Sequence, residues 1–496
     1  MRLPAAIGLV CALAAPARAY DFDIYAQTVG QGYQLRAADD TLINRRRIDQ
    51  SLGLEIYNLG PHDVMGRPLD RNQFYLSVMM RFESDLGDYP NYKELSGRSA
   101  EHSFDPARLD LMWAYLGAHN LFGFLDFKLG RQVFLDAWDY RALDGLDLDF
   151  KTPFHLGLEV WGGLNVSGEA PIDSPIYRAD GVALNGNPLG SLGQRQESEL
   201  QPTFGFALHT IGLRDLQARV SYLRTMSFTG DARQPGEPDS GVVEEKLSAT
   251  VRARLFGGLL HPWVGVRYDV LNGRVDQIHA GARLQLDGAR HGITAEYVYD
   301  VPTFDGDSIW NVFASEAFND ARLTYDVRIG PVRAYARGFA RIFQEDKTTT
   351  NGTVAPSNLG SGVAGGGSLG AQLDAKRGYI RLDSYYEDGY GGLKAGVDVG
   401  AKLALWGDLY TGLVAEGRLS YVHFRDDSRT IDHADSFGLQ AGLRYSFTRG
   451  LNLHVVIEEN VNRIYDSQFR LLALLDISFW LGKGGGGYAL QRPGLF

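Results

Sequence analysis

The chain has 496 residues and a formal net charge of −11, which excludes the global basic field that holds nucleic acid. Its 60 glycines, 25 tyrosines and 25 phenylalanines suit strands and turns better than helices. A single cysteine, Cys11, close to the N-terminus, excludes a disulfide-braced scaffold.

The first segment, "MRLPAAIGLVCALAAPARA", carries one basic residue (Arg2), an apolar run from Leu3 to Pro16 and an A-x-A site at 17–19. This pattern predicts a secretory signal peptide over 1–19, removed after Ala19. The run is shorter than the ~20 residues a membrane-spanning helix needs. Val10 before Cys11 does not fit a lipoprotein signal. No later segment is apolar for long enough to span as a helix.

From residue 20 to 481 the chain repeats one theme, a period-two segment followed by a polar connection. In "QFYLSVMMRFE" one face is Phe74, Leu76, Val78, Met80 and Phe82; in "RLDLMWAYLG" it is Leu109, Leu111, Trp113 and Tyr115. In "EKLSATVRARLF", Lys246, Ser248, Thr250, Arg252 and Arg254 alternate with Leu247, Ala249, Val251, Ala253 and Leu255. Later segments, "RLTYDVRI", "PVRAYARGFARIF", "GLKAGVDVGAKLAL", "SFGLQAGLRYSF" and "FRLLALLDISFWL", behave alike. These segments match the ~9–11 residues of a tilted strand crossing a bilayer, not the ~5–6 of a soluble strand.

Connections fix the class. From residue 105 onward, short turns near 118–121, 151–154, 212–215, 257–260, 287–291, 330–331, 375–378, 406–408 and 448–450 alternate with longer polar loops. The long ones fall at about 167–197, 229–243, 303–319, 345–367 and 425–435. This alternation predicts an all-β fold: a single large antiparallel transmembrane β-barrel of about 18–22 strands, with short periplasmic turns and long external loops. Counting all the segments gives about 22, an even number that leaves both termini in the periplasm. The first strand, the one around 146–150 and the pair flanking 375–378 are the least regular. The Gly-rich stretch 482–496 reads as a periplasmic tail. Alternation that begins at the cleavage site leaves no room for an N-terminal plug, and loops 167–197 or 345–367 are the candidates for a partial gate.

The apolar faces therefore point to lipid and the charged faces to a water-filled lumen, because a midplane Lys or Arg on the lipid side costs ~2–4 kcal/mol. Phe122, Phe154, Phe256, Trp263, Trp406 and Phe447, all near short turns, fit an interfacial girdle. No small-residue cluster typical of a trimer seam stands out, so a monomer in outer-membrane lipid is expected.

The 11 histidines form no H-E-x-x-H, no G-x-S-x-G accompanies them, and neither an enzyme, a metal site nor a cofactor is expected. The chemistry lies in the lumen. Inward basic residues include Lys128, Arg252, Arg254, Arg267, Arg283, Arg333, Arg337, Arg341, Arg381, Arg418 and Arg444, and Arg333, Arg337 and Arg341 form the densest row. Inward acids include Asp147, Asp149, Glu159, Asp326, Asp383, Asp398 and Glu416. Such charges brace a wet wall by pairing across strands; any surplus of guanidinium forms a path for anions, since Arg grips carboxylates with two parallel bonds.

"RIDQSLGLEIY", "FYLSVMMRF", "ARLDLMWAYLG", "FKLGRQVF", Trp138 and "ALDGLDLDFKTPFHLGLEVWGGLNV", over about 130 residues, resemble the outer-membrane alginate export family in order and loop length. Beyond residue 170 only the architecture is similar, and the strand count here is larger than is usual in that family. The resemblance implies export of an acidic polysaccharide through an Arg-lined barrel, with a periplasmic scaffold lipoprotein as partner. It carries over Lys128 and Arg131 as basic path residues, although alternation puts Arg131 on the lipid side unless Gly130 marks a bulge. The expected function is thus polysaccharide export, with passive diffusion of small anionic solutes as the alternative. A structural or adhesive barrel has little support, because the long loops lack repeats and aromatic clusters.

Overall fold

A computed structural model describes residues 21–36, 42–59, 73–85, 107–135, 138, 140–166, 201–226, 242–301, 317–344, 362–390, 392–426, 434–448, 450–462 and 467–481. The expected leader (1–19), the Gly-rich tail and most of the two gate-candidate loops lie outside them.

The strands are β1 (Asp21–Arg36), β2 (Leu42–Tyr57), β3 (Gln73–Asp85), β4 (Ala107–Leu121), β5 (Leu125–Leu135), β6 (Tyr140–Lys151), β7 (Leu156–Asn165), β8 (Pro202–Thr210), β9 (Leu216–Met226), β10 (Val242–Ala253) and β11 (Leu260–Asp269). There follow β12 (Arg274–Leu286), β13 (His291–Asp300), β14 (Phe318–Ile329), β15 (Val332–Phe343), β16 (Val363–Ala375), β17 (Gly378–Gly389), β18 (Gly392–Gly407), β19 (Gly412–Asp426), β20 (Ala434–Thr448), β21 (Leu451–Val461) and β22 (Gln468–Leu481). Each pairs antiparallel with its chain neighbours, and β22 closes on β1 from Phe22↔Leu481 to Tyr33↔Arg470, giving a ring of 22 strands. The least regular segments of the sequence are strands of this ring, namely β1, β6, β16 and β17. At ~4.8 Å per strand and ~40° of tilt, such a ring is roughly 40 Å across.

Closure removes the sheet edges except where the β4–β5 ladder stops at Ala114↔Arg131, so the backbone donors along the paired ladders are satisfied without water. The outer face is apolar: Leu109 is 70% exposed, Leu323 58% and Leu369 61%, with comparable residues on nearly every strand. A water-soluble protein does not display so continuous an apolar belt, whereas a barrel in lipid requires one. Two-residue turns such as Gly330–Pro331 close one end, and Gly330 (φ 56°) supplies the left-handed conformation this hairpin needs. Phe122, Phe154, Phe256, Trp406 and Phe447 ring that end with their side chains largely exposed.

Several expectations need correction. The connections at 136–139, 270–273 and 390–391 are as short as those of the opposite end, so the alternation of loop lengths is not strict. Three of the long loops also end earlier than expected, since β10, β14 and β16 begin at Val242, Phe318 and Val363. Trp113 and Tyr115 do not share a face with Leu109 and Leu111. Met79 pairs with Trp113 but Met80 with Leu111, so Met112 is an extra residue and the bulge turns the following side chains inward. Trp263 belongs to the inner wall, since it pairs with Arg252 and Gly281 and its Nε1 bonds His279. The register also gathers Ala334, Ala336, Gly338 and Ala340 of β15 beside Gly365, Gly367, Leu369 and Ala371 of β16, an outward patch of small residues interrupted by one leucine that the sequence alone did not reveal.

Candidate functional site: the charged lumen

Alternation builds the site. β15 reads VRAYARGFARIF; Arg333, Tyr335, Arg337, Phe339 and Arg341 face the lumen while Val332, Ala334, Ala336, Gly338, Ala340 and Ile342 face out. The same logic places Lys128, Arg252, Arg267, Arg283, Arg381, Arg418 and Arg444 on the inner face. Arg254 lies just past the end of β10 at the short-turn mouth, against Gly258.

Arg131 is the exception. Lys128 bonds Asp147 on the inside and the Phe134 ring lies 6.0 Å from that of the inner-wall Trp161, so 128, 130, 132 and 134 face in and Arg131 faces out. No bulge resets the register at Gly130. Arg131 instead bonds Asp144 through Nε and Nη2, both at 2.7 Å, and donates Nη1 to the Leu111 carbonyl at 3.1 Å. Its place is in the apolar belt, not the path.

Most inner-wall cations are answered by acids. Arg267 meets Asp276 at 2.9 Å with both side chains nearly inaccessible, Arg283 meets Asp326 at 2.9 Å, and Arg333 meets Asp374 at 2.8 Å. Arg418 meets Asp398 at 2.8 Å, Lys402 meets Glu416 at 3.1 Å, and Arg381 bonds Asp383. Arg341 is held by Asp320 (2.8 Å) and Glu387 (3.5 Å) and lies over the rings of Phe318, Phe339 and Phe343. Sequence reading missed Asp276 and Asp320, the two carboxylates that lock these guanidinia. Asp276 is the extra residue of a bulge opposite Arg267 and Tyr268, which breaks alternation, and Asp320 fell beside a loop drawn two residues too late. Further acids, such as Glu55, Asp300 and Asp476, also face in, so the wall is not uniformly basic.

What remains after pairing is small and localised. Among the described inner-wall residues, Arg252, Arg328 and Arg337 have no carboxylate within salt-bridge distance; Arg337 donates to Thr324 Oγ1 at 3.1 Å, and Arg328 lies opposite Arg333. Arg444 bonds the Leu409 carbonyl, and Lys394 sits 5.6 Å from the Tyr385 ring centre. β15, which carries Arg337, lies eleven strands from β4, directly across a ring of 22. The wall it faces is rich in aromatic and acidic groups, including Tyr75 stacked on His119 at 4.8 Å and His119 against Asp126 at 3.3 Å.

Inner-wall rings lie flat against glycines of the adjacent strand. A Cβ on Gly205 would fall 2.4 Å from Trp161, on Gly281 2.4 Å from Trp263, on Gly370 2.1 Å from Tyr335 and on Gly396 2.5 Å from Tyr385. Large rings thus line the lumen without filling it. Among the described residues no cluster of metal-ligating side chains is present.

A closed ring with an apolar outside, an ion-paired inside and aromatic residues at one rim defines a transmembrane β-barrel of the bacterial outer membrane, in the architectural class of the large porins. No family model matches the chain, and no curated protein matches it, so the resemblance to the alginate export family rests on the strand motifs alone. Solved structures are similar. Pseudomonas aeruginosa OccK1 (OpdK) is 10% identical, with 93% of this chain and 99% of that one covered and a TM-score of 0.41. Acinetobacter baumannii OccAB2 is 10% identical over 93% and 98%, with a TM-score of 0.43. A BenF-like porin from Pseudomonas fluorescens Pf-5 is 10% identical over 93% and 99%, with a TM-score of 0.43.

Proposed function

We propose that this chain is an outer-membrane diffusion pore that favours small anionic solutes, with the short turns in the periplasm and the long loops outside. The observation that carries this reading is a small set of guanidinia without a carboxylate partner, Arg252, Arg328 and Arg337, in a lumen whose other arginines are largely neutralised. In a confined space with low-dielectric walls, an unpaired cation acts over a longer range than it would in water. Export of an acidic polysaccharide, with a periplasmic scaffold lipoprotein, is the second reading. It is favoured by the basic row along β15, but Arg333 and Arg341 of that row are already held by Asp374 and Asp320.

Proteoliposome swelling separates the two. The pore reading expects a monoanionic sugar acid to enter faster than a neutral sugar of equal size, and no current block by acidic oligosaccharide. Block by the oligosaccharide that weakens in Arg333→Gln/Arg337→Gln/Arg341→Gln would favour export. Equal rates for the two small sugars, without block, would count against both.

A further inference from the structure

At the short-turn mouth three guanidinia gather around one cavity. Arg252 and Arg254 follow the inward alternation of β10, opposite Gln217 of β9 and Trp263 of β11. Arg214 comes from the turn between β8 and β9. That turn is tied to the end of β10, because the Arg254 amide donates to the Asp215 carbonyl at 2.8 Å. The cavity has a volume of about 470 Å³, and Trp263 and His279 complete it.

The charge there is unbalanced. The lining holds three arginines and a single acid, Asp215. Among the described residues, none of the three guanidinia lies within salt-bridge distance of a carboxylate. Glu296 is beyond the lining, 3.5 Å from His279. Arg267 and Arg283, on the next two strands, differ in that each has its own aspartate. Like charges gathered without counter-charge repel one another, and an anion bound among them relieves that repulsion.

The cavity is also shaped. A Cβ on Gly258 would fall 2.7 Å from Nε and 2.8 Å from Nη2 of Arg254, so glycine at 258 leaves room for this guanidinium at the rim. His261 Nε2 lies 2.9 Å from the Gly258 carbonyl oxygen and holds the same turn. Trp263 lies flat over Gly281 and donates Nε1 to His279 at 3.4 Å. One face of the indole is therefore against the wall, which leaves the other to the cavity it lines.

We propose that this cavity is a binding site for a small phosphorylated solute that carries a ring, of the sugar phosphate class. The phosphate sits among Arg214, Arg252 and Arg254, and the ring lies on Trp263. A phosphate monoester carries close to two negative charges near neutral pH and has three terminal oxygens, so it can accept from several guanidinia at once. A carboxylate is satisfied by one. The volume suits one such solute. The inference deepens the pore reading and rests on it for the route by which the solute arrives, but binding itself does not require conduction.

Competition against radiolabelled glucose 6-phosphate, on the lipid-reconstituted barrel at about pH 8, reads the site. Inorganic phosphate should displace the label about fivefold less well than unlabelled glucose 6-phosphate, for want of the ring. Succinate should be about tenfold weaker. Arg254→Gln should weaken glucose 6-phosphate and inorganic phosphate alike, by about tenfold. Arg214→Gln, in an exposed turn, is the second variant in case Arg254→Gln does not fold. Trp263→Leu should erase the advantage of glucose 6-phosphate over inorganic phosphate, and Trp263→Phe should retain most of it. Displacement by succinate as effective as by glucose 6-phosphate, or affinity unchanged in both arginine variants, would overturn the site. An advantage that survives Trp263→Leu would overturn the role of the ring. A wild type that prefers chloride to potassium but binds no label would overturn the site and leave the pore reading standing. One that binds the label but conducts nothing would do the reverse.

Discussion

Replacing either member of the Arg131–Asp144 pair should destabilise the barrel more than replacing both. The pair lies on the outer face beside the exposed Leu129 and Leu146, with two 2.7 Å bonds and side-chain exposures of 22% and 40%. Asp144→Leu leaves a guanidinium among lipid-facing side chains, a cost of ~2–4 kcal/mol reduced somewhat by the remaining bond to Leu111. Arg131→Leu leaves a carboxylate there and frees the Leu111 carbonyl, which adds ~1 kcal/mol for the lost bond to a smaller penalty for the acid. The double variant removes both charges and leaves mainly the cost of that bond, ~1 kcal/mol, because an apolar pair often replaces a desolvated ion pair without loss. Urea unfolding of the barrel refolded in lipid vesicles, followed by tryptophan fluorescence, gives the four stabilities of the cycle. Costs that add, with the double variant as unstable as the sum of the singles, would refute the outward placement, as would single variants indistinguishable from wild type.

Register makes a second expectation: Val251→Arg should impair insertion while Arg252→Val folds normally, because Val251 is 38% exposed on the outside and Arg252 lines the lumen. Equal folding yields for the two variants in lipid would refute this assignment. For topology, in a Cys11→Ser background, cysteines placed at 353–360 should react with a membrane-impermeant thiol reagent on intact cells, and cysteines at 376–377 should not; the opposite pattern would invert the barrel. In the turn at 408–411, Asp408 accepts the amides of Tyr410 and Thr411, both at 2.7 Å, which holds its carboxyl below the usual range. A depressed value means stability that is fully present above the ordinary Asp value near ~3.9 and lost as pH falls through the folded one. The stability difference between wild type and Asp408→Ala should therefore be constant from neutral pH to about pH 5 and shrink only in stronger acid; a difference already declining at about pH 6 would rule this out.

Period two was enough to recover the strands, since each is long and half of its side chains must face lipid. Even the irregular β1, β6, β16 and β17 keep enough alternation to be read. What alternation cannot show is where it slips. One extra residue, Met112, reverses Trp113 and Tyr115, and Asp276 at another bulge becomes the buried partner of Arg267. Arg131 shows the converse, because alternation placed it correctly on the lipid side and the family motif drew it into the lumen. The pairing that neutralises most inward arginines was expected in kind, yet its partners depend on inter-strand register, which no single strand encodes. Trp138 could be noticed as a residue but not located, since its contact with Gly265 spans strands far apart in the chain.

The central claim, a water-filled lumen with localised unpaired guanidinium, is tested most directly by the reversal potential of the reconstituted pore under a potassium chloride gradient. The account predicts preference for chloride over potassium, weakened in Arg252→Gln/Arg337→Gln with conductance retained. Preference for potassium in the wild type, or a chloride preference that survives the double substitution unchanged, would contradict it.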